Sequence, residues 1–318
     1  AMQSSWQIGK VNIRKIIELE HTGGTRFILP QAVPEVVKPI SWLFPHYVDE
    51  RGRLKMSVHA LFIEADGLRI VVDTCLGNDK EGRSVPDWNH RKSDFLERFA
   101  IEACDPKEID VVVCTHMHVD HVGWNTFWDG SAWQPSFPNA RYLFSKEEYE
   151  HWVDEREHDE QAAVFNDSIR PVIECGLAQF VDMDHAISAS VALEPTPGHT
   201  PGHVSVRITS EGSAALITGD FIHHPCQFAF PDWASSADVD RFASTQTRYR
   251  MFNQLCCEQA LIIGTHFAGP SSGLLKASDE AGQAYCFISS ITTKPKSSLG
   301  LNTSHLVMSS LPLDQSTW

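Results

Sequence analysis

The sequence predicts a layered fold in which β-strands and α-helices alternate along the chain. Short apolar segments rich in Val, Ile and Leu recur in both halves, and segments with helical spacing lie between them. The chain has 318 residues, 42% of them hydrophobic, which is enough to form a substantial core. These observations favour an α/β or α+β architecture over a helical bundle or an all-β sandwich.

The first elements form a predicted hairpin. Residues 57–63 and 68–74 are apolar strand segments joined by Asp66-Gly67, a dipeptide typical of two-residue hairpin turns. Residues 93–103 have helical spacing, and residues 110–116 are a β-branched segment typical of a buried strand.

A helix start signal follows the next predicted strand, residues 140–144. Ser145 and Glu148 have the spacing of a capping box, in which both side chains satisfy free N–H groups at the start of a helix. The later predicted elements are a helix at 160–175, strands at 178–182 and 189–194, a hairpin around Glu211-Gly212, a helix at 237–257 and a strand at 260–266. Residues 288–318 are rich in Ser and Thr, so we expect a domain over residues 1–287 and a tail or peripheral wrap over 288–318.

Charge, hydropathy and cysteine placement limit the partners and the location of the protein. The chain has 26 Lys and Arg residues against 41 Asp and Glu residues, and its net charge of −15 would repel nucleic acid. It contains no apolar stretch long enough to span a membrane, and the first twenty residues contain no apolar segment typical of a signal peptide. Several of the eight cysteines lie in apolar strand or helix patterns, so we expect reduced thiols and a cytoplasmic location.

Four candidate metal ligands lie within six residues, directly after an apolar strand. They are His116, His118, Asp120 and His121. His116 and His118 share a face while strand geometry lasts, and Asp120 and His121 on the following turn can point towards a neighbouring position. This arrangement suits two metal ions a few ångströms apart better than one.

Three more candidate ligands also follow predicted strands. His199 lies in a rigid Pro/Gly turn, Asp220 follows the strand AALI, and His266 follows the strand ALII. The combined set contains five histidines and two aspartates but no thiolate, which suits Zn²⁺ in an open catalytic site, although other divalent metals are also candidates. We interpret His203, four residues after His199, as a structural hydrogen-bonding residue.

These motifs resemble the metal-binding set of the metallo-β-lactamase superfamily. The resemblance covers roughly residues 55–270 and implies an α+β fold, an αββα sandwich in which two mixed sheets pack face to face with helices outside. It implies one zinc ion on His116, His118 and His199, a second on Asp120, His121 and His266, and Asp220 as the bridge between them. Asp73 matches an aspartate that this superfamily places after an early strand, where we expect it to support a ligand or cap the turn.

Other residues are candidates for the substrate side of the site. His223 lies three residues after Asp220, where many lactonases of the superfamily have a tyrosine, and this departure resembles the methyl parathion hydrolase branch more than those quorum-quenching lactonases. We expect Asp120 to orient the nucleophile and His223 to donate to the oxyanion or the leaving group. Because they follow ligand motifs closely, Trp124 and Phe267 are predicted to line an apolar substrate pocket.

The expected function is hydrolysis of a small carboxylic ester or lactone by a hydroxide held on two zinc ions, with phosphotriester hydrolysis as a side activity. Alternatives within the same fold are glyoxalase II-like thioester hydrolysis and β-lactam hydrolysis. A metal-free scaffold protein is the non-enzyme alternative, but all seven ligand positions are filled. The oligomeric state stays open, with a homodimer among the options.

Overall fold

The computed structural model describes residues 4–154 and 159–290. Its strands form two large sheets and one small hairpin. In chain order the strands are β1 (Ser5–Ile8), β2 (Val11–Thr22), β3 (Lys55–Ala65), β4 (Leu68–Val72), β5 (Val111–Val113), β6 (Thr126–Trp128), β7 (Trp133–Pro135), β8 (Arg141–Ser145), β9 (Ala178–Val181), β10 (Val191–Pro195), β11 (Val204–Ser210), β12 (Ser213–Ile217), β13 (Leu261–Ile263), β14 (Ser272–Ala277) and β15 (Tyr285–Ser289).

The helices are mostly short and lie between the strands. In chain order the α-helices of the described residues are α1 (Pro34–Val37), α2 (Phe95–Glu102), α3 (Lys146–Asp154), α4 (Asp159–Val164), α5 (Arg170–Glu174), α6 (Cys226–Ala229) and α7 (Arg241–Glu258). A π-helix, Phe165–Ile169, joins α4 to α5. Short 3₁₀ turns lie at Ser41–Leu43, Pro86–Trp88, Pro106–Glu108 and Gly123–Asn125.

The two large sheets pack face to face. The first has the order β1-β2-β3-β4-β5-β8-β9 and the second the order β10-β11-β12-β13-β14-β15. An apolar layer between them includes Val72, Val113, Ile217 and Ile263. Helices α2 and α3 pack on the outer face of the first sheet, and α7 packs on the outer face of the second. The predicted α+β sandwich of the αββα type is therefore confirmed.

Both predicted hairpins are present. Asp66-Gly67 joins β3 to β4, and Glu211-Gly212 joins β11 to β12. All four turn residues have positive φ angles, between 50° and 78°. A two-residue turn of this kind has a twist that matches the flanking strands, and glycine adopts it without a steric cost.

The structure departs from the predicted elements in three places. Strands β1, β2, β6, β7, β14 and β15 have no counterpart among the predictions. The predicted helix at 160–175 is three segments, because the π-helix turns Asp167 inward, where its carboxylate accepts two hydrogen bonds from Arg83 at 2.7 and 2.9 Å. The predicted tail begins too early, since Ile288 and Ser289 belong to β15, and residues 291–318 lie outside the described residues.

No helix in residues 4–154 and 159–290 is long and apolar enough to cross a membrane.

We expect the layer between the sheets to dominate stability. Ile217 is 0% exposed in β12, and its truncation in Ile217→Ala should lower the free energy of unfolding by about 2–5 kcal/mol, because it leaves a cavity among close-packed strands. Ile101 in α2 is 84% exposed, so Ile101→Ala should change that free energy by less than about 0.5 kcal/mol. Urea denaturation of both variants checks this, and equal midpoints would contradict it.

Candidate metal centre

The site lies where strand ends from both sheets meet. In the first sheet β4 and β5 run parallel, and Asp73 and His116 follow their carboxyl ends. In the second sheet β12 and β13 run parallel, and Asp220 and His266 follow theirs. The repeated order of strand and then ligand therefore brings these side chains to one edge of the sandwich.

The carboxylate of Asp220 lies at the centre of the cluster. Its Oδ2 is 3.0 Å from His121 Nε2 and 3.5 Å from His199 Nε2. The same oxygen is 3.6 Å from His116 Nε2, and Oδ1 is 3.2 Å from His266 Nε2. Asp220 thus reaches ligands from both halves of the predicted set.

The side chains form overlapping groups that could each hold an ion. Within each group the candidate ligand atoms lie within 4.8 Å of one another. The groups are His116, His118 and His199; His116, His121 and Asp220; Asp120, His121 and His266; and His199, Asp220 and His223. The structure therefore brings together all seven predicted ligands and places His223, the predicted catalytic histidine, beside them.

The cluster satisfies the chemical requirements of a divalent metal site. Within the described part of the chain, His116 Nε2, Asp220 Oδ1 and His223 Nδ1 are buried without a hydrogen-bond partner. Ring nitrogens also face each other, with His118 Nδ1 2.9 Å from His199 Nε2. Such groups are costly to bury unless something occupies the space between them, and a set of imidazoles and carboxylates suits Zn²⁺.

Asp73 supports the cluster from below. Its Oδ2 accepts a hydrogen bond from His121 Nδ1 at 2.8 Å, and its two oxygens accept bonds from the backbone N–H and the hydroxyl of Thr115. Asp73 thus fixes a candidate ligand and the residue before His116, which is the kind of role expected from the sequence. His203 accepts a hydrogen bond from the Asp220 N–H at 2.7 Å, consistent with a structural role.

Asp238 is a supporting residue that the sequence did not reveal. Its Oδ1 accepts a hydrogen bond from His199 Nδ1 at 2.8 Å, and Oδ2 accepts one from the Ser244 hydroxyl. The guanidinium of Arg248, fully buried in α7, lies 3.6 Å from the same carboxylate. The predicted helix at 237–257 includes Asp238, but α7 begins at Arg241 and Asp238 lies in the loop before it, so only the tertiary structure identifies its role.

A cavity of about 490 Å³ opens onto the cluster. Its walls are largely apolar and include Phe27, Met56, Val85, Trp88 and Trp152. Among the described residues, no lysine or arginine lines it, and Glu160 contributes an acidic group.

The two predicted pocket residues are corrected by the structure. Trp124 is buried in the core, where it stacks on Phe95 with ring centroids 5.8 Å apart and donates a hydrogen bond to Glu18. Phe267 is buried against Phe228 and Phe287 in the apolar cluster on the outer face of the second sheet. Both residues follow ligand motifs in the chain, but short turns after those motifs direct their rings into the core.

The neighbouring histidines His223 and His224 point in different directions. His223 lines the cavity, and its Nε2 lies 3.4 Å from Asp220 Oδ2. His224 instead donates from Nε2 to the carbonyl of Tyr47 at 2.8 Å, and its Nδ1 accepts from the Cys226 N–H. Of these two histidines, His223 is therefore the one that can contact a molecule bound at the cluster.

Comparison with known proteins identifies the family. The family model described as the metallo-β-lactamase superfamily matches residues 54–266, more than half of the chain. The chain belongs to the metallo-β-lactamase superfamily.

Relatives within this superfamily include lactonases. An N-acyl homoserine lactonase of a Bacillus species is 26% identical over 178 residues, and one of Bacillus thuringiensis is 25% identical over the same length. Each match covers 52% of this chain and 63% of the relative, so less than two thirds of those lactonases is matched.

Two solved structures share the fold of this chain. The dizinc quorum-quenching lactonase AidC has a TM-score of 0.75 at 20% identity, covering 91% of this chain and 97% of that one. The hydrolase AbOPH has a TM-score of 0.74 at 23% identity, covering 92% and 99%.

Nearby carboxylates favour the protonated forms of two histidines in the cluster, His121 and His266. Burial opposes a positive charge on His266, but Asp220 and Asp120 outweigh it and raise the pKa of His266 to about 9. Burial likewise opposes the charge of His121, yet Asp220, Asp120 and Asp73 raise its pKa well above the usual value. A metal ion that binds to these rings would therefore have to displace the protons.

We expect metal affinity to depend steeply on pH. Zinc binds neutral imidazole, and His266 is protonated in the metal-free protein below its pKa of about 9. Raising the pH from 6.5 to about 9 should therefore strengthen zinc binding, by up to about tenfold per pH unit for each proton released. Chelator competition and proton-release measurements check this, and an affinity that is constant over that range would contradict it.

Proposed function

We propose that this protein is a di-zinc hydrolase of neutral lactones and carboxylic esters. The observation that carries the proposal is a cluster of five histidines and two aspartates at the base of an apolar cavity. The names of the matched relatives, N-acyl homoserine lactonases, support the choice of a lactone.

The seven clustered residues divide between two ions. His116, His118 and His199 would hold one, and Asp120, His121 and His266 the other, with Asp220 between the two groups. Bound zinc would supply a hydroxide near neutral pH and would polarise a carbonyl oxygen.

Residues of the chain itself would position the reactants. Asp120 lines the cavity, and its two oxygens lie 3.4 Å from His121 and 3.4 Å from His266. Its carboxylate is therefore placed to accept a hydrogen bond from an attacking water and to hold that water's proton. His223, on the cavity wall, is placed to donate from a ring nitrogen to the developing oxyanion or to the leaving oxygen.

The cavity walls favour substrates without negative charge. Apolar side chains such as Val85 and Trp152 can bury an acyl chain or an aryl group. A β-lactam carboxylate or the carboxylates of a glutathione thioester would need a cationic side chain in addition to the metal ions, but no lysine or arginine lines the cavity in the described residues. A neutral phosphotriester meets the same requirement, which supports it as a side activity.

A cytoplasmic location is a further proposal that rests on the sequence alone, and a homodimer stays one of the options for the oligomeric state.

A substrate panel assayed with one zinc-loaded preparation tests the function. N-acyl homoserine lactones and aryl esters should be hydrolysed with a kcat/KM at least about tenfold above that for a penicillin or a glutathione thioester, because no lysine or arginine among the described residues lines the cavity to pair with their carboxylates. Phosphotriesters should be hydrolysed more slowly than the best lactone. Removing the metal with a chelator should abolish hydrolysis, and zinc should restore it.

Two results would overturn this function. One is full activity in protein verified as metal-free. The other is a clear preference for the anionic substrates, which would instead support the β-lactam or thioester alternative.

We expect His223→Ala to lower kcat by about 100-fold on lactones and esters, because it removes a donor to the oxyanion or leaving group. His224→Ala is the matched control. It removes an adjacent buried histidine that contacts Tyr47 and Cys226, so its kcat should stay near that of the wild type even if its melting temperature falls.

Metal content separates the two roles open to His223. Unchanged zinc with reduced kcat supports the donor role. Loss of zinc from His223→Ala would instead assign His223 as a ligand in the group with His199 and Asp220. Wild-type kcat and KM in the metal-loaded variant would exclude both roles.

A further inference from the structure

A buried carboxylate lies between the two loops that carry the histidines of the first predicted zinc site. Glu148, in the first turn of α3, is 1% exposed. Four donors surround its two oxygens, from Met117, Trp152, Thr200 and Gly202. These donors come from three separate parts of the chain.

The first contact fixes the loop between His116 and His118. Glu148 Oε1 accepts a hydrogen bond from the Met117 N–H at 3.0 Å. The Met117 carbonyl in turn accepts one from Gln161 Nε2 at 2.8 Å. Both backbone polar groups of the residue between the two histidines are therefore held by side chains.

The second contact fixes the loop that follows His199. Glu148 Oε2 accepts from the Thr200 hydroxyl at 2.6 Å and from the Gly202 N–H at 3.2 Å. The Ser145 hydroxyl donates to the Gly202 carbonyl at 2.7 Å. A Cβ on Gly202 would lie 2.0 Å from the Glu148 nitrogen, so only glycine allows this loop to approach the start of α3 so closely.

The third contact reaches the cavity wall. Trp152 Nε1 donates to Glu148 Oε1 at 2.6 Å, and the Trp152 side chain lines the cavity. The ring centroids of Trp152 and His118 are 5.4 Å apart. The same carboxylate thus holds two ligand loops and one aromatic wall.

This role differs from the predicted capping box. Ser145 Oγ does accept from the Glu148 N–H at 3.1 Å, as a helix cap should. The Glu148 side chain, however, turns towards the two loops. All four of its partners donate, so an ionised carboxylate satisfies them, whereas an amide would place its own N–H₂ group against a donor.

We propose that Glu148 is a positioning residue that sets metal affinity at the His116, His118 and His199 group by fixing the backbones of both ligand loops. The inference rests on the proposed metal binding. Residues that orient metal ligands commonly change affinity by about 10–100-fold when they are replaced. Glu148 acts on the loop backbones rather than on the ligand rings.

Glu148→Gln should weaken zinc binding at this group by about 10–100-fold, measured by chelator competition, with unchanged far-ultraviolet circular dichroism of the metal-free protein. The visible spectrum of the cobalt-substituted variant should also change, because the ligand geometry changes. If Glu148→Gln does not fold, a milder pair replaces it. Thr200→Val removes one donor and should weaken zinc binding, while Thr200→Ser keeps the hydroxyl and should restore it.

Asp167→Asn is the control for the loss of a buried carboxylate. It removes the charge that pairs with Arg83 but contacts neither ligand loop, so it should lower the melting temperature and leave zinc affinity unchanged. If Glu148→Gln or Thr200→Val follows that same pattern, with reduced stability and wild-type zinc affinity, the positioning role is wrong. Failure of the wild type to bind zinc would overturn the proposed function as well, and so the two failures are distinguishable.

Discussion

The site depends on the interaction between the buried carboxylate of Asp220 and the imidazole rings around it. A charge removed from water is costly unless opposite charges or hydrogen-bond donors surround it. Asp220 meets this requirement because the strand ends of both sheets bring imidazoles around it, and the charge of His121 lies nearest, at 3.0 Å. The relative position of the two sheets therefore matters for the site, because each sheet contributes part of the charge that the cluster must balance.

Sequence patterns could predict the parts of the site that are local in the chain. The ligands follow apolar strands, and the two hairpins carry turn residues with one clear conformational preference. The αββα sandwich was predicted from the resemblance to a family, and the packing of the two sheets confirms that prediction. Strand β2 was missed because a charged residue, Lys15, occupies a buried position and the register shifts between Ile17 and Leu19, so the period of two is broken.

Contacts between distant residues could not be predicted in the same way. Asp238 is 39 residues from His199, and Glu148 is 52 residues from Thr200, so neither spacing forms a motif. The direction in which a side chain points could not be predicted from the sequence either. Trp124 lies only three residues after His121, yet the 3₁₀ turn Gly123–Asn125 places its ring in the core under α2. Proximity in the chain predicts that a residue is near a site but not that it faces it.

The rings of the candidate ligands are held in two different ways, and the difference is consistent with the position of the buried Glu148 carboxylate beside Met117. Most rings use their second nitrogen to bond a fixed partner: His116 with Thr115, His121 with Asp73, His199 with Asp238 and His266 with the Ser57 carbonyl. His118 differs: its Nδ1 is the nitrogen that faces the cluster, 2.9 Å from His199 Nε2, and its Nε2 makes no hydrogen bond within the described part of the chain. A ring without such a partner can be oriented through its backbone and its packing. Glu148 supplies both constraints, because it holds the peptide before His118 and the indole of Trp152 that packs against the His118 ring.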